Sequence, residues 1–224
     1  MADAARFLRE VEQRLPARQA LGPKRRLRAR FRLHAGETLA SRRGEAACAG
    51  QHVVQGAPRR ARRLEKKGRQ SIGKSRGGWN TKLHLASPDD KNVVAMHISG
   101  GEKHDAPEGR KLLGAMKGKV KAMKERRKAS GEKRPRIPLL MDKAHEGKET
   151  RAMARKVGLK PEVPPKSNRR KPWAFNKKRY KSRNVVERAF RRIDNFRRIY
   201  TRYDKTDVIY TAYICFALTM ICLK

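Results

Sequence analysis

From Thr81 onward the chain carries apolar residues at strand and helix spacing. Thr81 to Ser87 (TKLHLAS) and Asn92 to Ser99 (NVVAMHIS) alternate or run apolar as strands do. Pro88, Asp89, Asp90 and Lys91 supply turn chemistry between them, so a β-hairpin is predicted. Asp105 to Met116 predicts a helix with Asp105 as its N-cap. Lys117 to Arg136 predicts a highly basic connection, helical at its start and loose near Gly131. Ile137 to Met141 is a short apolar run ending at Asp142, the pattern of a buried strand. A helix over Glu149 to Val157 should stop at Gly158, and Lys160 to Pro172, rich in proline, predicts a basic loop or edge strand. A long amphipathic helix is predicted from Asn184 to Ile199, then a buried apolar helix over Val208 to Leu223. Tyr210, Thr211, Tyr213 and Thr219 make that last stretch polar for a membrane span, which needs ~20 apolar residues.

Before this patterned region the chain changes character. Residues 1–66 hold 15 Arg and 2 Lys, whereas residues 67–224 hold 19 Arg and 23 Lys. Phe7, Leu8, Val11 and Leu15 could line one face of a short helix, the one clear periodic signal there. Arg25, Arg26, Arg28 and Arg30 fit either a DNA-binding arm or a disordered basic tail. The expected division is therefore a basic Arg/Ala-rich segment over 1–66 and an α/β domain over 67–224. At 38% hydrophobic residues, one core is all the composition supports.

Charge adds a partner. The formal net charge of +38 calls for a polyanion, because each Lys or Arg set on a phosphate releases condensed counterions. A ribosomal-type or merely solubilising surface has the same composition, so the role must come from motifs. Cys48, Cys215 and Cys222 show no metal-ligand spacing and are expected to be reduced intracellular thiols. Met1 to Arg9 is mixed-charge with no apolar run, so no secretory signal is expected there.

Two acids stand at positions suited to chemistry. Asp142 closes the strand-like IPLLMD, where an open α/β sheet presents ligand-binding residues, although an isolated aspartate there is also an ordinary helix cap. Glu187 lies in YKSRNVVERAFRRID. On a continuous helix Tyr180, Arg183, Glu187 and Asp194 fall within about 60° of one another, opposite Val185, Ala189 and Ile193, with Phe190 flanking. A surface helix with an Arg–Glu pair gives the same spacing.

Tyr180, Arg183 and Glu187 match the Y-x2-R-x3-E signature of bacterial insertion-sequence transposases with a D-D-E site. Other stretches agree in order: SRGGWNTKLH from Ser75, SGGEKHDAPEG from Ser99, LLMDKAHE from Leu139, VPPKSNRRKPW from Val163 and FRRIYTRYDK from Phe196. The resemblance spans about Lys67 to Leu223. It departs at Asp194, where a Lys or Arg is common, and at His145, where Tyr is frequent. It implies a ribonuclease H-like mixed sheet flanked by helices, with three carboxylates holding two divalent ions, usually Mg²⁺. Asp142 and Glu187 are then the second and third metal-binding catalytic carboxylates, and Tyr180 and Arg183 position DNA or the metal site. Lys166, Arg169, Arg170 and Lys171 become candidates for DNA backbone contacts, with a solvated loop an equally good account. Expected partners are double-stranded DNA, at element ends and target, and further copies in a homo-oligomer or in a mixed oligomer with full-length transposase. No membrane is implied, and the expected location is the cytoplasm, at the nucleoid.

The first aspartate of that pattern should precede the GGWNTKLH hairpin by roughly 25 to 30 residues. Ala46 to Arg63 contains no acid. Back-translated and shifted forward one nucleotide, Gly50 to Lys67 can spell D-S-T-S-S-K-V-H-P-D-A-H-G-A-L-K-K, which resembles the family's first-strand motif. Two explanations stand open: ribosomal slippage on an adenine run at Glu65 to Lys67, or a gene broken by an insertion or deletion. On either, residues 1 to about 65 are out of frame and the family's first strand is missing; residues 1–66 then either fill the gap with unrelated structure or stay disordered and leave one sheet edge bare. The chain is expected to be a transposase, partial or inactive as it stands; the alternative is a non-catalytic basic DNA-binding protein that regulates the full-length enzyme.

Overall fold

The computed structural model describes residues 47–56, 70–129 and 136–223. The expectations placed on Phe7 to Leu15, Arg25 to Arg30 and Glu65 to Lys67 lie outside them.

Strand β1 (Ala47–Gly56) sits at the centre of a mixed sheet. It runs antiparallel to β3 (Gly78–Ser87) from Cys48↔Ser87 to Gln55↔Asn80. Its other edge runs parallel to β5 (Pro138–Met141), with Ala47↔Leu139, Cys48↔Leu140 and Ala49↔Met141 in register. Short β2 (Gly73–Ser75) and β4 (Ala95–Gly100) follow one another along the far edge of β3. Beyond β5 lies β6 (Lys160–Glu162), parallel to it, and two-residue β7 (Thr201–Arg202) pairs with the end of β1. The order β4-β3-β1-β5-β6, antiparallel on one side of β1 and parallel on the other, is the mixed α/β sheet expected.

Of the two outcomes left open for the first-strand position, the structure has the filled one. The first-strand position is filled by Ala47–Gly56, so β3 has no bare edge toward β5 and the compositional seam at Lys67 falls inside the sheet's connectivity. Ala47, Cys48, Ala49 and Val54 are buried. Their small side chains carry no amphipathic signal, and non-local pairing with three strands makes the segment a strand.

Helices cover both faces. On one, α1 (Asp105–Ala129) and α2 (Lys148–Val157) pack Leu112, Leu113, Met116, Val120, Ala154 and Val157 against Ala49, Leu139 and Met141. On the other, Val186, Phe190, Ile193, Ile214 and Leu218 meet Cys48, Leu83, Leu85 and Leu140. They belong to α4 (Asn184–Asp194) and α6 (Asp207–Leu223), joined through α5 (Arg197–Tyr200). A single turn, α3 (Lys177–Tyr180), and a 3-10 turn over Lys181–Arg183 precede α4.

Two helices differ in length from expectation. Helix α1 continues to Ala129, through much of the stretch expected to be a connection, because Val120 and Met123 extend its buried seam past Met116 while the lysines stay on the wet face. Helix α4 ends at Asp194, and the Phe196 amide turns back onto the Ile193 carbonyl before α5 begins. Among the described residues, no helix is long and apolar enough to cross a membrane.

Candidate active site and basic loop

Asp142 follows the last residue of β5, at the sheet's C-terminal rim. Its carboxylate accepts the Lys143 amide at 2.7 Å and caps the 3-10 turn Lys143–His145. The cap role and the site position therefore coincide on one residue. Cys48 and Leu140 are partners in register and both pack on the Val186 side of the sheet. Side chains alternate along a strand, so residues two further on return to that face. Those are Gly50 on β1 and Asp142 beyond β5. A Cβ added at Gly50 would lie 2.8 Å from Val186 Cγ1 and 3.3 Å from Phe190 Cε2, on the helix that carries Glu187.

Glu187 sits in the first turn of α4, where a helix N-terminus favours negative charge. Arg183 Nη1 donates to Glu187 Oε1 at 2.9 Å, one helical turn apart. Tyr180 is half-buried and meets Phe175 edge-on, with ring centroids 5.6 Å apart. Burial pushes the Tyr180 hydroxyl above its usual range, Arg183 pulls it back, and Asp142 pushes it up again, so the three groups share one electrostatic neighbourhood. The Cys48 thiol donates to the Ser182 carbonyl at 3.3 Å, tying this segment to β1. Tyr180, Arg183 and Glu187 are thus gathered at the rim near Asp142, although the backbone passes through a 3-10 turn instead of one helix. Asp194 leaves the stripe: it pairs with His52 of β1 at 3.2 Å, and His52 stacks on Phe190.

The basic loop after β6 is held by two buried glutamates that the sequence did not single out. Glu146 accepts the Lys166 amide at 2.9 Å and pairs with Lys166 Nζ at 3.8 Å and Arg169 Nη1 at 3.4 Å. Glu162 accepts Arg179 Nη1 at 3.1 Å and the Asn176 amide at 3.3 Å, with Lys160 at 3.4 Å. Arg151 and Arg169 lie over the Trp173 ring, at 3.6 and 4.6 Å from its centre. Of the four predicted DNA contacts, Lys166 and Arg169 are thus engaged with Glu146, while Arg170 and Lys171 are exposed.

Behind the rim, on the α1 side, lies a polar cluster. His84 bonds Ser99 Oγ at 2.9 Å and stacks on His97, which meets Glu108 at 2.5 Å. Asp105 takes Lys82 at 2.8 Å. The buried His145 ring lies where a Cβ on Gly109 would come within 2.6 Å of its Cε1, so position 109 accepts only glycine without rearrangement. The Nδ1 of His145 and the Oε1 of Gln51 are buried without a hydrogen-bond partner.

A central mixed sheet covered by helices on both faces, with an aspartate closing β5 and a glutamate on a covering helix, defines the α/β class of this chain. Residues 139–224 match the family model described as transposase DDE domain, a span that includes both acids. The match covers less than half of the chain. Among solved structures, the Mos1 transposase paired-end complex with left transposon end is similar over 99% of this chain and 67% of its own, at 14% identity and TM-score 0.42. The piggyBac transposase synaptic complex with hairpin DNA is similar over 81% of this chain and 46% of its own, at 9% identity and TM-score 0.45. The Mos1 mariner catalytic domain is similar over 93% of this chain and 97% of its own, at 12% identity and TM-score 0.35. None of the curated proteins matches the chain.

Among the described residues, no group of three or more His, Cys, Asp or Glu side chains is placed to hold a metal ion.

Proposed function

We propose that this chain is the transposase of an insertion sequence in a partial form: it binds double-stranded DNA but does not cut it. Asp142 and Glu187, at the sheet rim beside Tyr180 and Arg183, are its two retained site carboxylates. The observation that carries this reading is the position of both acids within the transposase DDE match, and among the described residues no group of three or more His, Cys, Asp or Glu is placed to hold a metal ion. In the complete enzyme, metal ions would activate the attacking hydroxyl and stabilise the leaving oxygen during strand cleavage and transfer. Here Arg183 holds Glu187 in place, Tyr180 presents a protonated hydroxyl at the rim, and the basic loop supplies phosphate contacts.

A site short of its third acid would also suit a regulatory role, in which the chain occupies element ends or enters mixed oligomers with full-length transposase without catalysing. The test is a gel-shift and cleavage assay on duplex DNA with Mg²⁺. Binding without cleavage is expected, and Asp142→Ala and Glu187→Ala should leave binding within about twofold, since neither acid attracts phosphate. Robust Mg²⁺-dependent cleavage by the 224-residue chain would overturn the partial reading. Absence of duplex binding would overturn the transposase reading altogether.

A further inference from the structure

We infer that the outer face of α1, away from the rim, is a second duplex-binding surface, where a row of four lysines holds the phosphate backbone of DNA without reading its sequence. The inference rests on the duplex-binding reading and adds a place to it. Lys117, Lys121, Lys124 and Lys128 lie on α1 at alternating steps of four and three residues, so they fall within about 60° of one another. All four are exposed. At ~1.5 Å per residue the row runs straight for ~16 Å. Among the described residues one carboxylate is paired with it, Glu125 with Lys121 at 3.8 Å, both well exposed. The row also meets α2. The Lys124 ammonium lies so near Gly158 that a Cβ there would overlap it, and Arg155 and Lys156 are exposed in the last turn before that glycine.

This surface is separate from the rim. Gly109, in the second turn of α1, touches His145 beside Asp142. Lys117 to Lys128 lie roughly 12 to 28 Å further along the axis. Gly158, which Lys124 reaches, comes just before Lys160, and Lys160 pairs with Pro138 at the opposite end of β5 from Asp142. A face that only keeps the protein in water would interleave acids with its bases, because like charges one turn apart work against a helix. Here one glutamate stands among four lysines, and a polyanion relieves the repulsion. The chemistry of the face selects that polyanion. An anionic membrane needs apolar side chains beside the lysines, yet only glycine and alanine stand exposed next to this row. Single-stranded nucleic acid needs aromatic rings to stack its bases, and α1 has none. Ammonium groups in a straight row suit a stiff duplex backbone as point charges that fix position without specifying sequence.

The test uses the full chain and a duplex of arbitrary sequence. Gly118 lies beside the row, faces open space and has no positive φ, so Gly118→Cys accepts an iron chelate that cuts nearby DNA. Wild type treated with the same reagent controls for Cys222, the one native thiol that is not fully buried. Position 118 is expected to cut bound duplex. Replacing the four lysines by alanine, which favours the helix, should abolish the cutting at concentrations where other basic surfaces still shift the duplex in a gel. The same variant, with an unchanged circular dichroism spectrum, should bind duplex at least about tenfold more weakly and with a salt slope shallower by about 3, at ~0.9 per phosphate contact. If wild type and Gly118→Cys shift the duplex but position 118 does not cut it, or if the cutting survives loss of the lysines, the inference is overturned and the transposase reading stands. If wild type shifts no duplex, both fall.

Discussion

His84 shows how much one buried side chain can govern. It is 1% exposed, and burial lowers its pKa from 6.5 to about 4, with the charge of His97 acting in the same direction. His145 adds to that lowering, while Asp105 and Glu108 oppose it. The unfolded chain takes up this proton near pH 6.5 and the folded chain near 4. Stability from neutral His84 is therefore fully present above the unfolded value and lost as pH falls through this window. Between pH 7 and pH 5 the loss is about 2 kcal/mol, a large share of a typical margin of roughly 5–15 kcal/mol. Urea unfolding at the two pH values should show it, and His84→Gln, which can still bond Ser99, should reduce it. The buried His145 ring, whose pKa is also lowered by burial, leaves a smaller dependence of the same sign. Equal stability of the wild type at pH 7 and pH 5 would contradict the account.

At the scale of elements, the loop after β6 depends on carboxylates that point inward. Glu162 is a buried acid with three basic or amide partners, whereas Lys160 and Arg179 are largely exposed and rehydrate freely if released. Glu162→Ala should therefore cost about 1–2 kcal/mol, less than breaking a fully buried pair. Amide hydrogen exchange should rise over residues 163–180 and stay unchanged in α6; protection lost evenly over the sheet would mean the glutamate is structural at large. These anchors were illegible in the sequence, because an acid among many bases gives no sign of burial until β6 and the Glu146 turn are brought together. The hairpin β3–β4, strand β5 with Asp142 at its end, the Gly158 stop and α6 were legible, since each carries its own periodicity or turn residue. Strand β1 was not. Ala47, Cys48 and Ala49 owe their burial to partners up to about ninety residues away in sequence, and local pattern cannot encode that. The candidate site divides the same way: Tyr180, Arg183, Glu187 and Asp142 could be picked out by motif, whereas the placing of Gly50 beside Asp142 comes only from register.

For the molecule as a whole, the charge is unevenly committed. Carboxylates such as Glu146, Glu162, Glu108 and Asp105 are turned inward onto basic or histidine partners, which leaves much of the Lys and Arg excess facing solvent. On the proposed duplex-binding role, counterion release would supply most of the affinity, which should fall linearly in log–log salt titrations with a slope of about −0.9 per phosphate contacted. The four basic residues of the loop should then separate into two pairs. Lys166 and Arg169 already pair with Glu146, and Arg169 also rests on Trp173, so reaching a phosphate requires sharing or leaving those contacts. Arg170 and Lys171 are exposed and spend nothing to turn toward a backbone. The double variant Arg170→Ala/Lys171→Ala should lower duplex affinity and make the salt slope shallower by about 2, equally for any DNA sequence. Lys166→Ala/Arg169→Ala should change the slope less and the loop's thermal stability more, because it removes a buried glutamate's partners. If the two double variants change the slope equally, the loop acts as an undifferentiated basic patch and the Glu146 anchor has no part in aiming it.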